Sequence, residues 1–126
     1  MKRILLIASA LWLTAATVLI AHSMLAVFKW DETTHDFGKI KQGKPVVAEF
    51  SFKNQGGAPL VITNARGSCG CTGVDYPKEA ILPGKAGTIK ATFNAASAGA
   101  FNKTVTVESN AEGGTSVLTI RGEVIP

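Results

Sequence analysis

Two cysteines, the only two in the chain, stand one residue apart in Ser68-Cys69-Gly70-Cys71-Thr72. Three kinds of chemistry fit such a pair. As thiolates, the two sulfurs suit a soft ion such as Cu(I) or Zn(II). Two ligands do not complete a zinc tetrahedron. A metal site would therefore draw in His35, His22 of the N-terminal segment, or a second molecule. As a redox pair, the spacing is one residue shorter than the C-x-x-C of thioredoxin-like sites, and the helix that motif normally opens is missing here. A disulfide closed across one glycine would be strained, and strain makes such a bond easier to reduce. The third reading is structural: small, half-buried side chains packed into a tight glycine-containing loop. All three stay open at this level. Cys69, Cys71 and His35 are the candidate metal ligands, with a soft ion as the one cofactor to consider, and His35 alone reads as a polar residue at a strand start.

Other chemistries find little support. Asp31, Asp36 and Asp75 are the only aspartates, and only the first two are neighbours in sequence. A nucleophile made of Cys69 or Cys71 with His35 has no visible orienting partner. The glycines fall at turns and not between a strand and a helix, so no phosphate loop is present. Beyond Lys2 and Arg3 the chain has 11 Lys and Arg against 9 Asp and Glu. These charges are scattered without interleaved aromatics, which argues against nucleic acid as a partner. The expectation is a protein that is not an enzyme.

The elements that must position the cysteines read as strands and turns. Phe28 to Glu32 alternates apolar and polar residues. Phe37 and Ile40 follow as core anchors, with Gly38 placed for a bulge. Val46, Ala48, Phe50 and Phe52 share one face of a clear period-two run, with Val47, Glu49, Ser51 and Lys53 on the solvated face. Asn54 to Pro59 reverses the chain, since two glycines and a proline exclude a helix. Leu60 to Asn64 reads as a second central strand, with Leu60 and Ile62 inward, leading into the cysteine loop. Gly73 to Pro77 reads as irregular, anchored by Val74 and Tyr76. After the Pro83-Gly84 turn come Ile89, Ala91 and Phe93 on one face. Phe101, Val105 and Val107 continue inward, and Leu118, Ile120 and Val124 close the pattern. About seven short strands with turn signals roughly every 8–12 residues predict an all-β fold, an immunoglobulin-like antiparallel β-sandwich spanning residues 28–126. A closed barrel is the second choice. The cysteines are too close together to join opposite sheets, so the core must cohere by Phe, Ile, Val and Leu packing.

In front of this domain, Lys2 and Arg3 precede the apolar run Ile4 to Ala21. That is the layout of a signal peptide, with cleavage after Ser23 leaving residues 1–23 behind. The run is long for that role. Extended through Phe28 it reaches the ~20 residues that span a bilayer, so a retained anchor helix over residues 4–28 is the alternative. Both readings put the domain in the periplasm or cell envelope, the second tied to the inner membrane. Membrane contact is then confined to the N-terminal segment.

Several segments carry a resemblance. Thr33-Thr34-His35-Asp36-Phe37-Gly38, Phe50-Ser51-Phe52-Lys53-Asn54, Pro59-Leu60-Val61-Ile62, Ser68-Cys69-Gly70-Cys71-Thr72, Pro83-Gly84 and Val107-Glu108-Ser109-Asn110 resemble the bacterial family called domain of unknown function 1573, common in secreted proteins of the Bacteroidota. The resemblance spans about residues 30 to 124. It implies an exported immunoglobulin-like sandwich related to ciliary and sperm-protein type domains, and it implies no enzyme activity. The functional expectation is an exported structural or interaction module that binds another protein. The alternatives are a metal-binding or redox-active protein using Cys69 and Cys71, and a small membrane-anchored accessory subunit of an envelope complex.

Overall fold

The computed structural model of the protein describes residues 25–126, so the segment read as signal peptide or anchor lies outside the described residues. Eight strands follow in order: β1 (Phe28–Trp30), β2 (Thr34–Lys41), β3 (Val46–Asn54), β4 (Ile62–Gly67), β5 (Thr72–Asp75), β6 (Ala86–Phe93), β7 (Gly99–Ser109) and β8 (Thr115–Ile125). They form two four-stranded sheets, β1-β3-β6-β5 and β2-β8-β7-β4, packed as an immunoglobulin-like sandwich.

The alternation read from sequence builds the core. In β3, Ala48, Phe50 and Phe52 are buried while Val47, Glu49 and Lys53 face solvent. Ile89, Ala91 and Phe93 extend this inner face from β6. The opposing sheet contributes Val105, Val107, Leu118 and Ile120, all with no exposed surface. Emptying a ring-sized volume from such a core costs about 3–5 kcal/mol.

Three details differ from the sequence expectation. First, β2 pairs with β8 in parallel, through Thr34↔Thr119 and Lys41↔Ile125. The chain passes from one sheet to the other at Asp31–Thr33 without reversing, so β2 keeps the direction of β1. That connection contains no Gly, Pro or Asn to turn it. The bulge expected at Gly38 is present: the β2–β8 register shifts between Asp36 and Lys39, and Gly38 has a φ of 67°. Second, the strand expected at Leu60–Asn64 is β4, displaced to Ile62–Gly67, and it is an edge strand. Leu60 stays buried but belongs to an isolated bridge with Ile81. Third, Gly73 and its neighbours are not irregular. They form β5, the short edge strand that pairs with β6.

Asn54, at the end of β3, has no exposed surface and holds one end of the sandwich together. Its Oδ1 accepts from the backbone N–H groups of Gly56 (3.0 Å) and Val27 (3.3 Å). Its Nδ2 donates to the carbonyls of Ala58 (2.8 Å) and Ile81 (2.9 Å). Its own backbone is bonded to Lys85 and Gly84. A primary amide has two donor hydrogens and a two-lone-pair oxygen, so this site is filled to capacity. The described chain also enters at this end, where Leu25 and Val27 accept hydrogen bonds from Gly57 and Gln55.

Candidate functional site

The cysteine loop is the crossover between the two sheets, linking the edge strand β4 to the edge strand β5. It begins where Gly67 leaves room for no side chain: a Cβ there would lie 2.8 Å from both Cβ and the carbonyl oxygen of Thr72. Ser68 is then fixed to β7 by two reciprocal bonds, its N–H to the Thr104 carbonyl (2.8 Å) and the Thr104 N–H to its Oγ (3.2 Å). The loop closes with Thr72 N–H donating to the Cys69 carbonyl (3.3 Å) and Asn94 N–H to the Cys71 carbonyl (3.0 Å). Thr72 then opens β5 opposite Phe93.

Cys69 and Cys71 form a disulfide, with their Cα atoms 5.3 Å apart, inside the range such bonds adopt. Both are half-buried. Cys71 packs against the core. The Thr72 hydroxyl lies 3.8 Å from Cys69 Sγ and 3.9 Å from Cys71 Sγ. Disulfide sulfurs carry no hydrogen, so the hydroxyl is the only donor in these weak contacts.

Beside Cys71 is a cleft of about 220 Å³ whose lining includes Phe93, Asn94, Ala98, Phe101 and Lys103. Phe93 and Phe101, one from each sheet, stack with centroids 4.2 Å apart and close the core at this end. Between the lining residues Asn94 and Ala96 lies the one described non-glycine residue with positive φ, the fully buried Ala95 at 53°, a conformation that costs an L-residue about 1–2 kcal/mol.

One wall of this cleft is an open sheet edge. β4 pairs with β7 only down to Gly67↔Val105, and Ser68 reaches Thr104. β7 runs on to Gly99, paired with β8 alone. Backbone groups along a strand alternate in direction. Since Thr104 aims its N–H and C=O toward the β4 side, Asn102 and Ala100 aim theirs the same way, past the end of β4. Both residues are exposed. Sequence reasoning missed this edge because alternation of apolar residues does not say which strands pair. The mismatch in length between β4 (6 residues) and β7 (11 residues) is what creates it.

The structure brings Cys69 and Cys71 together but not His35. His35 lies on β2, the opposite edge of its sheet from β4, about 14 Å away at three strand spacings. Its Nδ1 sits 2.9 Å from Glu32 Oε1, and its ring meets Phe37 edge-on. The three-ligand metal site considered from sequence is therefore not assembled: the sulfurs are bonded to each other, and His35 is spent elsewhere. Among the described residues no three His, Cys, Asp or Glu side chains converge on a point. A broader trough of about 550 Å³ lies over the β2–β8 bulge and includes Asp36, Lys39, Arg121 and Glu123 in its walls. Its charges balance, and Asp36 pairs with Arg121 at 3.3 Å.

Solved structures share the architecture. A protein of unknown function from Porphyromonas gingivalis superposes with a TM-score of 0.70 at 15% identity, over 79% of this chain and 47% of its own. The present chain thus spans about half of that protein. The ASH / PapD-like domain of human CEP192 gives a TM-score of 0.62 at 11% identity, over 80% of this chain and 87% of its own. The YadV chaperone gives 0.55 at 15% identity, over 82% and 53%. At these identities the likeness is one of fold. No curated protein matches the sequence. The profile of the family described as "Protein of unknown function (DUF1573)" matches residues 28–124. The chain belongs to that family.

Proposed function

We propose that the protein is a non-enzymatic module of the cell envelope that binds an extended segment of another protein along the open edge of β7. The observation that carries this reading is the five-residue stretch Gly99–Lys103, which is paired on one side only and borders the cleft beside Cys71. An added strand there would continue the line of β4, bond to the backbone of Ala100 and Asn102, and set one side chain into the cleft. The stacked Phe93 and Phe101 floor favours an apolar side chain, while Lys103 at the rim favours an acidic neighbour. A chain tethered through its N-terminal segment would present this edge away from the tether, because Leu25 enters at the Asn54 end. That placement suits an accessory subunit of an envelope complex.

Asn102→Pro tests the reading. Proline removes the N–H that faces the vacant edge but breaks no bond to β8, and edge positions tolerate it. The expected result is loss of the partner that co-purifies from native envelopes with a melting temperature within a few degrees of wild type. Ala98→Trp, which fills the cleft, should act in the same way. A partner retained by both variants would refute binding at this edge.

A further inference from the structure

We propose that the Cys69–Cys71 bond is a thiol–disulfide exchange site that accepts electrons from a protein dithiol, with Cys69 the attacked sulfur and Cys71 the leaving one. Three observations support it. The bond joins residues two apart in sequence, so it ties no strand to another and removes little freedom from the unfolded chain. The loop is already held by the Ser68–Thr104, Thr72–Cys69 and Asn94–Cys71 hydrogen bonds, which leaves it shaped when the sulfurs part. The two sulfurs also differ in surroundings. Cys71 packs on the core and lines the cleft that includes Lys103, while Cys69 does neither. A departing Cys71 thiolate would form at a cleft whose lining includes the cationic Lys103 and 3.9 Å from the Thr72 hydroxyl; a cation and a hydroxyl donor both favour a charged sulfur.

The step balances as follows. One thiolate of the donor attacks Cys69 Sγ, the Cys69–Cys71 bond breaks, and the electron pair leaves on Cys71 Sγ. The donor's second thiol, losing its proton, attacks the donor sulfur of the mixed disulfide and releases Cys69. The donor ends as a disulfide, and this chain gains two electrons and two protons as a dithiol. The exchange requires no strand bound at the β7 edge, so it goes beyond the binding reading and can fail or succeed separately.

The test uses the full oxidised chain with dithiothreitol as the dithiol, and intact mass after maleimide quenching to count thiols. The expected rate is at least tenfold above that of an unstructured Cys-Gly-Cys peptide disulfide, with native circular dichroism after reduction. Lys103→Gln and Thr72→Val, neither of which creates a cavity, should each slow the reaction about threefold or more. With reduced glutathione as a monothiol probe of the oxidised chain, maleimide quenching and peptide mass analysis should find the mixed disulfide on Cys69 at least ten times as often as on Cys71. A rate no greater than the peptide's, or reduction only on unfolding, would overturn the proposal. Indifference to both Lys103→Gln and Thr72→Val, or a mixed disulfide found mainly on Cys71, would overturn the assignment of roles.

Discussion

The two ends of the sandwich are built on opposite terms. At the Asn54 end a buried amide meets two donors and two acceptors from three separate segments, and nothing polar is left over. At the cysteine end a strand stops short, a neighbouring edge stays open, the sulfurs are half-exposed and a backbone residue sits in a disfavoured conformation. Both ends must gather loops from two sheets. One does so with a fully buried side chain that reaches Val27 and Ile81, both distant in sequence. The other closes on itself between Gly67 and Thr72 and is anchored to Thr104 and Asn94, with a covalent link that spans only Cys69 to Cys71. A buried knot stabilises a fold, whereas a half-exposed one shapes a surface. This contrast places rigidity at the Asn54 end and the proposed recognition at the other.

The largest effect that would sharpen the contrast is expected from Asn54→Ala. It orphans the N–H groups of Gly56 and Val27 and the carbonyls of Ala58 and Ile81 together. Loss of such buried partners should cost about 2–4 kcal/mol in all, because water reaches some of them. For a domain of this size that lowers the melting temperature by roughly 10–25 °C, measurable by calorimetry. Asn54→Asp should be no better, since a carboxylate oxygen would then face two carbonyl oxygens. Next in size is Gly67→Ala, in which the new methyl meets the Thr72 backbone and side chain. Neither neighbour can swing away, so about 1–3 kcal/mol of overpacking is expected, again read as a shift in melting temperature.

Removing the disulfide should matter less than either. A loop of three residues loses little entropy on closure, worth about 1.5 kcal/mol at most. The C69S/C71S protein should therefore unfold cooperatively in urea, with a smaller loss of stability than Asn54→Ala. If the order of these two were reversed, the cysteine end would be the structural one and the assignment of recognition to it would lose its basis.

Much of this was legible in the sequence, and the gaps have physical causes. The inward faces of β3, β6 and β8 followed from period-two patterning, because Phe50, Ile89 and Leu118 sit in strands with one wet face. Gly38 was readable as a bulge. Asn54 was not readable as a buried hub. An asparagine before a glycine-rich stretch signals a turn, and burial by loops distant in sequence leaves no local trace. The parallel β2–β8 pair had a faint signal in the absence of Gly, Pro or Asn from Asp31 to Thr33. As for the site, the spacing of Cys69 and Cys71 drew attention to the right loop but could not choose between thiolates and a disulfide. It suggested His35 only by composition. The open β7 edge depends on a difference in strand length, and residues after Asn64 carry little alternation to mark where β4 ends.

The smallest expected effect tests whether the cysteine loop is shaped by its glycine or by its anchors. Gly70 lies between the two cysteines, where sequence habit assigns glycine a conformational duty. Here its φ is not in the left-handed region, and a Cβ built on it would meet nothing within 4 Å. The shape of the loop instead follows from Ser68 on Thr104, Cys71 on Asn94 and the close approach of Gly67 to Thr72. Gly70→Ala should therefore leave stability within about 0.5 kcal/mol of wild type and the disulfide fully formed by thiol counting. Partner binding should also survive, because Gly70 is exposed and is not among the residues that line the cleft beside Cys71. A marked loss of stability would mean that the anchors do not hold the loop without the freedom of glycine. The loop would then be too soft to keep Cys71 beside the cleft.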